Sequence, residues 1–222
     1  MSSLESHPFV YTFPSIERDP AGNTVLRWEQ GMPSAGASLE VDTNPMVHMV
    51  QCAAGAFTRE ECRRIVELGD ALPAMEGLAN DARERYRDSE VGWLAPGART
   101  EWLYNKLAVL FDEVNSNYRF ELLGLVDPLQ YTVYRGGHHF DWHIDVSGGA
   151  ASLRKLSLTL QLSDDADYGG GDLEIVGVGP SEGQRAIGTV TVFPSFLAHR
   201  VAPVTSGVRR SLVAWACGPS FR

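Results

Sequence analysis

Residues 156–162 read Leu-Ser-Leu-Thr-Leu-Gln-Leu, a strict alternation of leucine with small or polar side chains. Because successive side chains of a β-strand point to opposite faces, this period of two predicts a strand with one apolar face. The same period runs through residues 129–134 (LQYTVY). Further short strands are predicted at DLEIV (172–176), GTVTVF (188–193) and RRSLVAWAC (209–217), with glycine-rich breaks between them.

The first half of the chain carries helical patterns instead. Thr58-Arg59-Glu60-Glu61 has the spacing of a capping box and predicts a helix near 58–71. Apolar residues from Leu103 to Val114 recur at helical spacing, which predicts a second helix that starts at Thr100. The predicted fold class is therefore mainly β with flanking α-helices, built on an antiparallel sandwich or jelly roll.

Length and composition set the domain organisation. The 222 residues suit one domain with a modest extension. Residues 1–45 are polar and rich in proline, and are predicted to form an arm that packs on the main domain or is partly disordered. Residues 46–222 are predicted to form a single domain, with helical support over 58–115 and a β core over about 128–217.

Charge and cysteine content narrow the partners and the compartment. The formal net charge of −9 disfavours nucleic acid and anionic membrane surfaces as partners. No apolar run approaches the ~20 residues of a spanning helix, and the N-terminus lacks the pattern of a secretory signal. Cys52, Cys62 and Cys217 are scattered, which favours reduced thiols in a cytoplasmic protein. The sequence leaves the oligomeric state open.

Three side chains form a candidate metal site. His143 and Asp145 stand at i and i+2, which on extended backbone places them on one face, about 6 to 7 Å apart at Cα. His199 follows the predicted strand GTVTVF, where a jelly roll could return the chain to the same place. Two histidines and one carboxylate are the ligand set of non-haem Fe(II) oxygenases.

Arg209 is a candidate for binding an anion. It shares a strand face with Ser211, Val213 and Trp215, whereas Arg210 would point the other way. A buried guanidinium without a partner is costly, so a dicarboxylate that binds the metal at one end could meet Arg209 at the other.

The order of several short motifs resembles the prolyl-4-hydroxylase-like branch of the Fe(II)/2-oxoglutarate dioxygenases, and within it the bacterial PKHD-type hydroxylases. The motifs are Tyr134-x-x-Gly137, His143-x-Asp145, Tyr168-Gly-Gly-Gly-Asp-Leu173, Phe193-Pro194, His199-Arg-Val-x-Pro-Val204, Gly207-x-Arg209 and Trp215. The resemblance covers about 128–217 and extends more weakly to the first helix and to RDSEVGWL (87–94). It leaves open whether Arg87, Ser89 and Trp93 border the substrate site.

The resemblance implies a double-stranded β-helix (a cupin-like jelly roll) in which His143, Asp145 and His199 hold Fe(II). It implies that Arg209 binds the cosubstrate 2-oxoglutarate, with Tyr134 in the position of a pocket tyrosine. Gln161 stands where some relatives have a tyrosine, and its amide could donate to the far carboxylate. His139 and Trp215 are the candidates for substrate contact, and no catalytic residue is expected beyond the metal ligands.

The implied reaction is hydroxylation of an unactivated C–H bond, with consumption of O2 and release of succinate and CO2. The substrate could be a small molecule, an amino acid or a peptidyl residue, and ascorbate stays open as a reductant. Two alternatives use the same residues. One is a zinc-dependent hydrolase on the His/Asp/His site, and the other is a non-catalytic jelly-roll binding module.

Overall fold

The computed structural model describes residues 4–8, 15–22, 24–27, 38–42, 44–73, 75–76, 80–81, 84–179 and 184–220. The chain divides into two units, Met1–Pro45 and Met46–Arg222. In the first unit β1 (Leu4–Pro8) pairs with β4 (Ser38–Asp42), and β2 (Ser15–Arg18) pairs with β3 (Thr24–Arg27), both antiparallel. The arm predicted for residues 1–45 stays a prediction.

The second unit contains two α-helices, α1 (Arg59–Asp70) and α2 (Glu101–Tyr118). Short 3-10 turns occur at Pro45–His48, Gly149–Leu153 and Asp165–Asp167. Its strands are β5 (Gln51–Ala53), β6 (Met75–Glu76), β7 (Asn80–Asp81), β8 (Glu84–Arg85), β9 (Arg87–Asp88), β10 (Glu90–Leu94), β11 (Leu129–Tyr134), β12 (His139–His143), β13 (Arg154–Gln161), β14 (Tyr168–Gly170), β15 (Leu173–Ile175), β16 (Val190–Pro194), β17 (His199–Val201), β18 (Val204–Gly207) and β19 (Arg209–Cys217).

Two antiparallel sheets dominate this unit. The larger has seven strands in the order β5-β16-β13-β19-β11-β10-β6, and the smaller has four in the order β15-β17-β12-β9. Strands β14 and β18 form a separate pair, as do β7 and β8. The predicted class, mainly β with flanking helices, is confirmed.

The central strands of the seven-stranded sheet are buried on both faces. The leucines of the 156–162 stretch lie in the hydrophobic core together with the apolar faces of both helices. The alternate residues of the same strand, Ser157 and Gln161, are also buried, as is Thr132 on β11. The polar face of the period-two pattern therefore faces the interior of the domain.

The helix ends follow from local chemistry. Thr58 caps α1: its hydroxyl accepts a hydrogen bond from the Glu61 N–H, and the Glu61 carboxylate accepts one from the Thr58 N–H. Thr100 precedes α2, but its hydroxyl donates to the carbonyl oxygens of Ala95 and Gly97 instead of capping the helix. Both predicted helices are present, with starts within one residue of those predicted.

Two strands of the large sheet, β6 and β10, fall between the helices. β10 lies inside the segment 58–115 that the sequence assigns to helical support, and it pairs with β11 along its whole length. Its five residues are too few for a clear periodicity, and the pairing with β11 is a tertiary contact. In the described part of the chain, neither helix has the length and apolarity to cross a lipid bilayer.

Candidate metal centre

Three side chains converge at one end of the small sheet. His143 ends β12 and His199 begins β17, and the two residues are register partners. Asp145 follows β12 by two residues, so the predicted i, i+2 pair spans a strand end rather than continuous strand. The potential ligand atoms of the three residues all lie within 4.8 Å of one another.

The hydrogen bonds of the two imidazoles set their tautomers. Nδ1 of His143 lies 2.7 Å from the Asp141 carbonyl oxygen, and Nδ1 of His199 lies 2.9 Å from that of Leu197. Because a carbonyl oxygen only accepts, each Nδ1 carries the proton and each Nε2 has a free lone pair. Burial, followed by the charge of His199, lowers the pKa of His143 to about 4, so this imidazole is neutral at neutral pH.

Asp145 is oriented by residues from the large sheet. Its Oδ2 accepts a 2.6 Å hydrogen bond from the Ser157 hydroxyl, which is itself 3.0 Å from the Ser195 hydroxyl. Its backbone N–H donates to the Ser195 carbonyl at 2.9 Å, and its own carbonyl accepts from Arg154. The sequence analysis missed Ser195 and Arg154 because only the tertiary fold brings them to Asp145.

Asp145 lies between the two histidines. Its Oδ1 is 3.8 Å from Nε2 of His143, and its Oδ2 is 3.5 Å from Nε2 of His199. All three side chains are at most 8% exposed. Two imidazoles and one carboxylate that converge in this way fit an Fe(II) ion.

Arg209 and its neighbour Arg210 point to opposite faces of β19. Arg209 is 2% exposed and lines the same cavity of about 450 Å³ as the three candidate ligands. Among the described residues no carboxylate pairs with it, and its nearest polar contact is a 3.5 Å hydrogen bond to Ser211. Arg210 instead lies on the outer face and pairs with Asp70 at 3.4 Å.

Gly171 makes room for Arg209. It has a φ of +67°, in the left-handed region that favours glycine. A Cβ atom at this position would lie 2.9 Å from Val204 and 3.1 Å from Cδ of Arg209. Gly171 is therefore part of the wall that packs against the Arg209 side chain.

Tyr134 and Trp215 both line the cavity. Tyr134 is the register partner of Arg209, and the Arg209 guanidinium carbon lies 5.5 Å from the centre of its ring. Burial raises the pKa of Tyr134, so its hydroxyl stays protonated. Trp215 is buried, and its Nε1 has no hydrogen-bond partner among the described residues.

Gln161 and His139 are not among the described residues that line the cavity of the candidate ligands. The Gln161 amide donates to the Tyr168 hydroxyl at 2.8 Å, and Gln161 lines an adjacent cavity that it shares with Arg209. Nδ1 of His139 is 3.2 Å from the Gly137 carbonyl oxygen, and His139 is not among the described residues that line the cavity of the candidate ligands. Their roles in binding the cosubstrate and substrate stay predictions.

Comparison with known proteins identifies this core. The family model described as "2OG-Fe(II) oxygenase superfamily" matches residues 129–217, which contain all three candidate ligands and Arg209. The chain is 38% identical over 97 residues to the PKHD-type hydroxylase PiuC of Pseudomonas aeruginosa, covering 40% of this chain and 43% of that protein. The matched stretch thus spans less than half the length of this curated relative.

Solved structures show the same fold. A prolyl-4-hydroxylase of Pseudomonas putida superposes with a TM-score of 0.58 at 23% identity, covering 78% of this chain and 94% of that one. A prolyl hydroxylase of Trichoplax adhaerens, in complex with a peptide fragment of hypoxia inducible factor, gives a TM-score of 0.60 at 17% identity and covers 76% and 83%. The expected jelly-roll core is confirmed. Residues 129–217 thus match the model of the 2OG-Fe(II) oxygenase superfamily and are similar to the PKHD-type hydroxylases, and this similarity, together with the His-Asp-His cluster, implies Fe(II), 2-oxoglutarate and O2 as cofactors.

Proposed function

We propose that the protein is a dioxygenase that hydroxylates an unactivated C–H bond of a small-molecule, amino-acid or peptidyl substrate and releases succinate and CO2. The observation that carries this proposal is the placement of Arg209. A buried guanidinium that pairs with no carboxylate in the described part of the chain lines the same cavity as a two-histidine, one-carboxylate cluster. A zinc hydrolase would leave this charge without a partner, whereas the far carboxylate of 2-oxoglutarate supplies one.

The candidate metal ligands, Arg209 and Tyr134 have distinct parts in this function. His143, Asp145 and His199 would hold Fe(II), which when bound supplies the oxidative chemistry with 2-oxoglutarate and O2. Arg209 would bind the far carboxylate in a bidentate fashion, beside the protonated hydroxyl of Tyr134.

Residues outside the ligand set keep the geometry fixed. Ser157 holds one oxygen of Asp145, which limits the rotation of the carboxylate. The ring of Phe140 stacks on His143 with centroids 3.6 Å apart, and that of Phe193 meets His199 edge-on at 4.6 Å. These aromatic rings pack against the imidazoles, which are at most 8% exposed, and help to shield them from water.

Anaerobic titration with Fe(II) and then 2-oxoglutarate tests the proposal. We expect a visible metal-to-ligand charge-transfer band that requires both components and that bleaches, with formation of succinate, when O2 is admitted. Hydrolysis of esters or amides by the zinc-loaded protein without such a band would favour the zinc hydrolase. Binding of Fe(II) without either activity would favour the non-catalytic module.

A further inference from the structure

A second guanidinium, that of Arg87, lines the cavity of the candidate ligands and pairs with no carboxylate among the described residues. Arg87, on β9, donates from Nε to the Ser89 hydroxyl at 2.9 Å. Its Nη2 atom is buried and has no hydrogen-bond partner among the described residues. A buried donor without an acceptor is costly, so the site is suited to a ligand that supplies one.

Arg87 is held close to the metal ligands. Its guanidinium carbon lies 4.6 Å from the centre of the Phe140 ring, on which the imidazole of His143 also stacks. β9 also pairs directly with β12, the strand that ends in His143. A group bound at Nη2 of Arg87 would therefore lie only about one aromatic ring away from the metal ligand.

The balance of positive and negative charges in the cavity indicates which kind of ligand Arg87 can bind. The charge of Arg154, the third arginine that lines it, is already matched by Asp127 at 2.8 Å. With Fe(II) and the dianion of 2-oxoglutarate bound, the two charges of the metal and that of Arg209 are balanced by Asp145 and the cosubstrate. The positive charge of Arg87 is then left over, which favours a substrate with one negative charge.

At the mouth of the cavity the exposed side chains are apolar. Trp93 is 37% exposed and Ile144 49% exposed, although both are large hydrophobic residues. The Trp93 and Trp215 rings lie 6.4 Å apart on the same wall. A volume of about 450 Å³ suits a small organic molecule whose apolar body contacts these rings.

We propose that Arg87 binds a carboxylate of the primary substrate, and that the substrate is a small organic acid with an apolar body. This proposal rests on the proposed dioxygenase function and narrows its substrate class. Because Arg87 lies next to the ring that stacks on His143, the carbon that is hydroxylated lies a few bonds from the carboxylate. Nε1 of Trp215 has no hydrogen-bond partner among the described residues, and it is a second donor available to the oxygen atoms of 2-oxoglutarate or of the substrate.

Pairs of carboxylic acids and their primary amides test this proposal. The protein is loaded anaerobically with Fe(II) and 2-oxoglutarate, and α-amino acids, arylacetic acids and branched alkanoic acids are titrated in alongside the corresponding amides. Binding is followed by the charge-transfer band and by tryptophan fluorescence. We expect at least one acid to bind about ten-fold or more tightly than its amide, as loss of a partly buried charge pair predicts.

Variants at position 87 assign this preference to the side chain. Arg87→Gln should bring the acid-to-amide ratio of dissociation constants close to one, and Arg87→Lys should restore part of the preference. The 2-oxoglutarate constant should change by less than about two-fold in both, since Arg209 is intact. Arg210→Gln, on the outer face of the large sheet, is the matched control and should keep the preference. Circular dichroism checks that each variant is folded.

The outcomes separate the two proposals. If the charge-transfer band forms but no acid is preferred to its amide, or if amides and end-blocked peptides bind as well as the acids, the carboxylate proposal is wrong and the dioxygenase proposal stands. If Arg87→Gln weakens 2-oxoglutarate and leaves the acid preference intact, Arg87 belongs to the cosubstrate site. If no band forms in the unaltered protein, both proposals are overturned.

Discussion

His143 and His199 are register partners on adjacent antiparallel strands, and the centroids of their imidazole rings lie 4.2 Å apart. Residues far apart in sequence are thereby placed side by side by backbone pairing. Each ring is held by a backbone carbonyl of its own segment, so its orientation does not depend on a bound ion. The hydrogen bonds of the two nitrogen ligands come from their own segments, whereas Asp145 accepts its hydrogen bond from Ser157 on the opposite sheet.

Replacing His199 with alanine should remove metal binding without unfolding the protein. Replacing a residue that only hydrogen-bonds to a metal ligand typically lowers metal affinity by about 10–100-fold. Loss of a ligand itself should therefore lower Fe(II) affinity by at least about 100-fold. The melting temperature should change little, because the ring faces the cavity and not the leucine-rich core. His139→Ala is the control and should leave affinity unchanged by calorimetry. Tight Fe(II) binding by the His199 variant would contradict the site.

Arg209→Ala should weaken 2-oxoglutarate selectively. Loss of one partner of a desolvated charge pair costs about 2 to 5 kcal/mol, which is roughly 30-fold to several-thousand-fold in the cosubstrate constant. Arg209→Lys should recover only part of this, because an ammonium cannot bind both oxygens. Arg210→Ala, which loses only its pair with Asp70 on the outer face, should behave like the unaltered protein. Equal effects of the two alanine variants would refute the assignment.

Gly171→Ala should impair the cosubstrate site through the backbone. A side chain at a φ of +67° costs about 1–2 kcal/mol, and the new Cβ would press on Val204 and Arg209. We expect both the free energy of unfolding and 2-oxoglutarate affinity to fall. Gly177 has a φ of +78°, but a Cβ atom added there would meet no described atom within 4 Å. Gly177→Ala therefore separates the two effects, since it should lose stability and keep affinity.

The cap of α1 should have a measurable, pH-dependent contribution to stability. Thr58→Ala should lower the free energy of unfolding by about 0.5–2 kcal/mol in chemical denaturation. For Glu61, burial raises the pKa, but hydrogen bonds from Lys106 and Thr58 outweigh it and hold the pKa below 4.5. The stabilisation by Glu61 is therefore complete above pH 4.5 and is lost as the pH falls through the lower, folded-state pKa.

The control for this pH effect is Glu60. Its carboxylate is exposed and pairs only with Arg63 on the same helix. Glu61→Gln should destabilise the protein at pH 7, and its difference from the unaltered protein should vanish in acid. Glu60→Gln should have a small effect at both pH values; a larger effect than that of Glu61→Gln would contradict the capping role.

The three thiols should differ sharply in reactivity. Cys52 is exposed, whereas Cys62 and Cys217 are buried. Burial raises the pKa of Cys62 to about 11 and also raises that of Cys217, which disfavours their reactive thiolates. An alkylating reagent should modify one thiol per native chain and three after unfolding, as counted by mass spectrometry. Labelling of Cys62 at the rate of Cys52 would contradict the packing of α1.

The sequence predicted the strands and helices better than the surroundings of the site. The period-two pattern of RRSLVAWAC corresponds to β19 over its whole length, because alternation is a local property. It does not reveal whether the polar face meets solvent or an enclosed cavity. Ser157 shows the difference: its hydroxyl is buried and holds Asp145, a contact between segments that no local pattern encodes.

Gln161 illustrates the same limit. Its position on β13 is evident from the alternation, but the direction of its amide is set by Tyr168, which the turn after β13 brings to within 2.8 Å. The Nη2 donor of Arg87 is equally invisible in sequence, since what distinguishes it is that none of the described residues accepts a hydrogen bond from it. Side-chain partnerships across the fold, and a short strand such as β10 that forms only by tertiary pairing, were the unpredictable part.

The two-sided burial of β13 and β19 bears on how this protein can evolve. On each strand, residues that hold the helices alternate with residues that face the ligands: on β19, Leu212 and Ala214 belong to the core, whereas Val213 and Trp215 line the cavity. A substitution at a cavity position therefore alters which ligands the cavity binds without disturbing the neighbouring core layer. Substitutions selected at Thr159 or Val213 can thus change substrate preference while the fold keeps its stability.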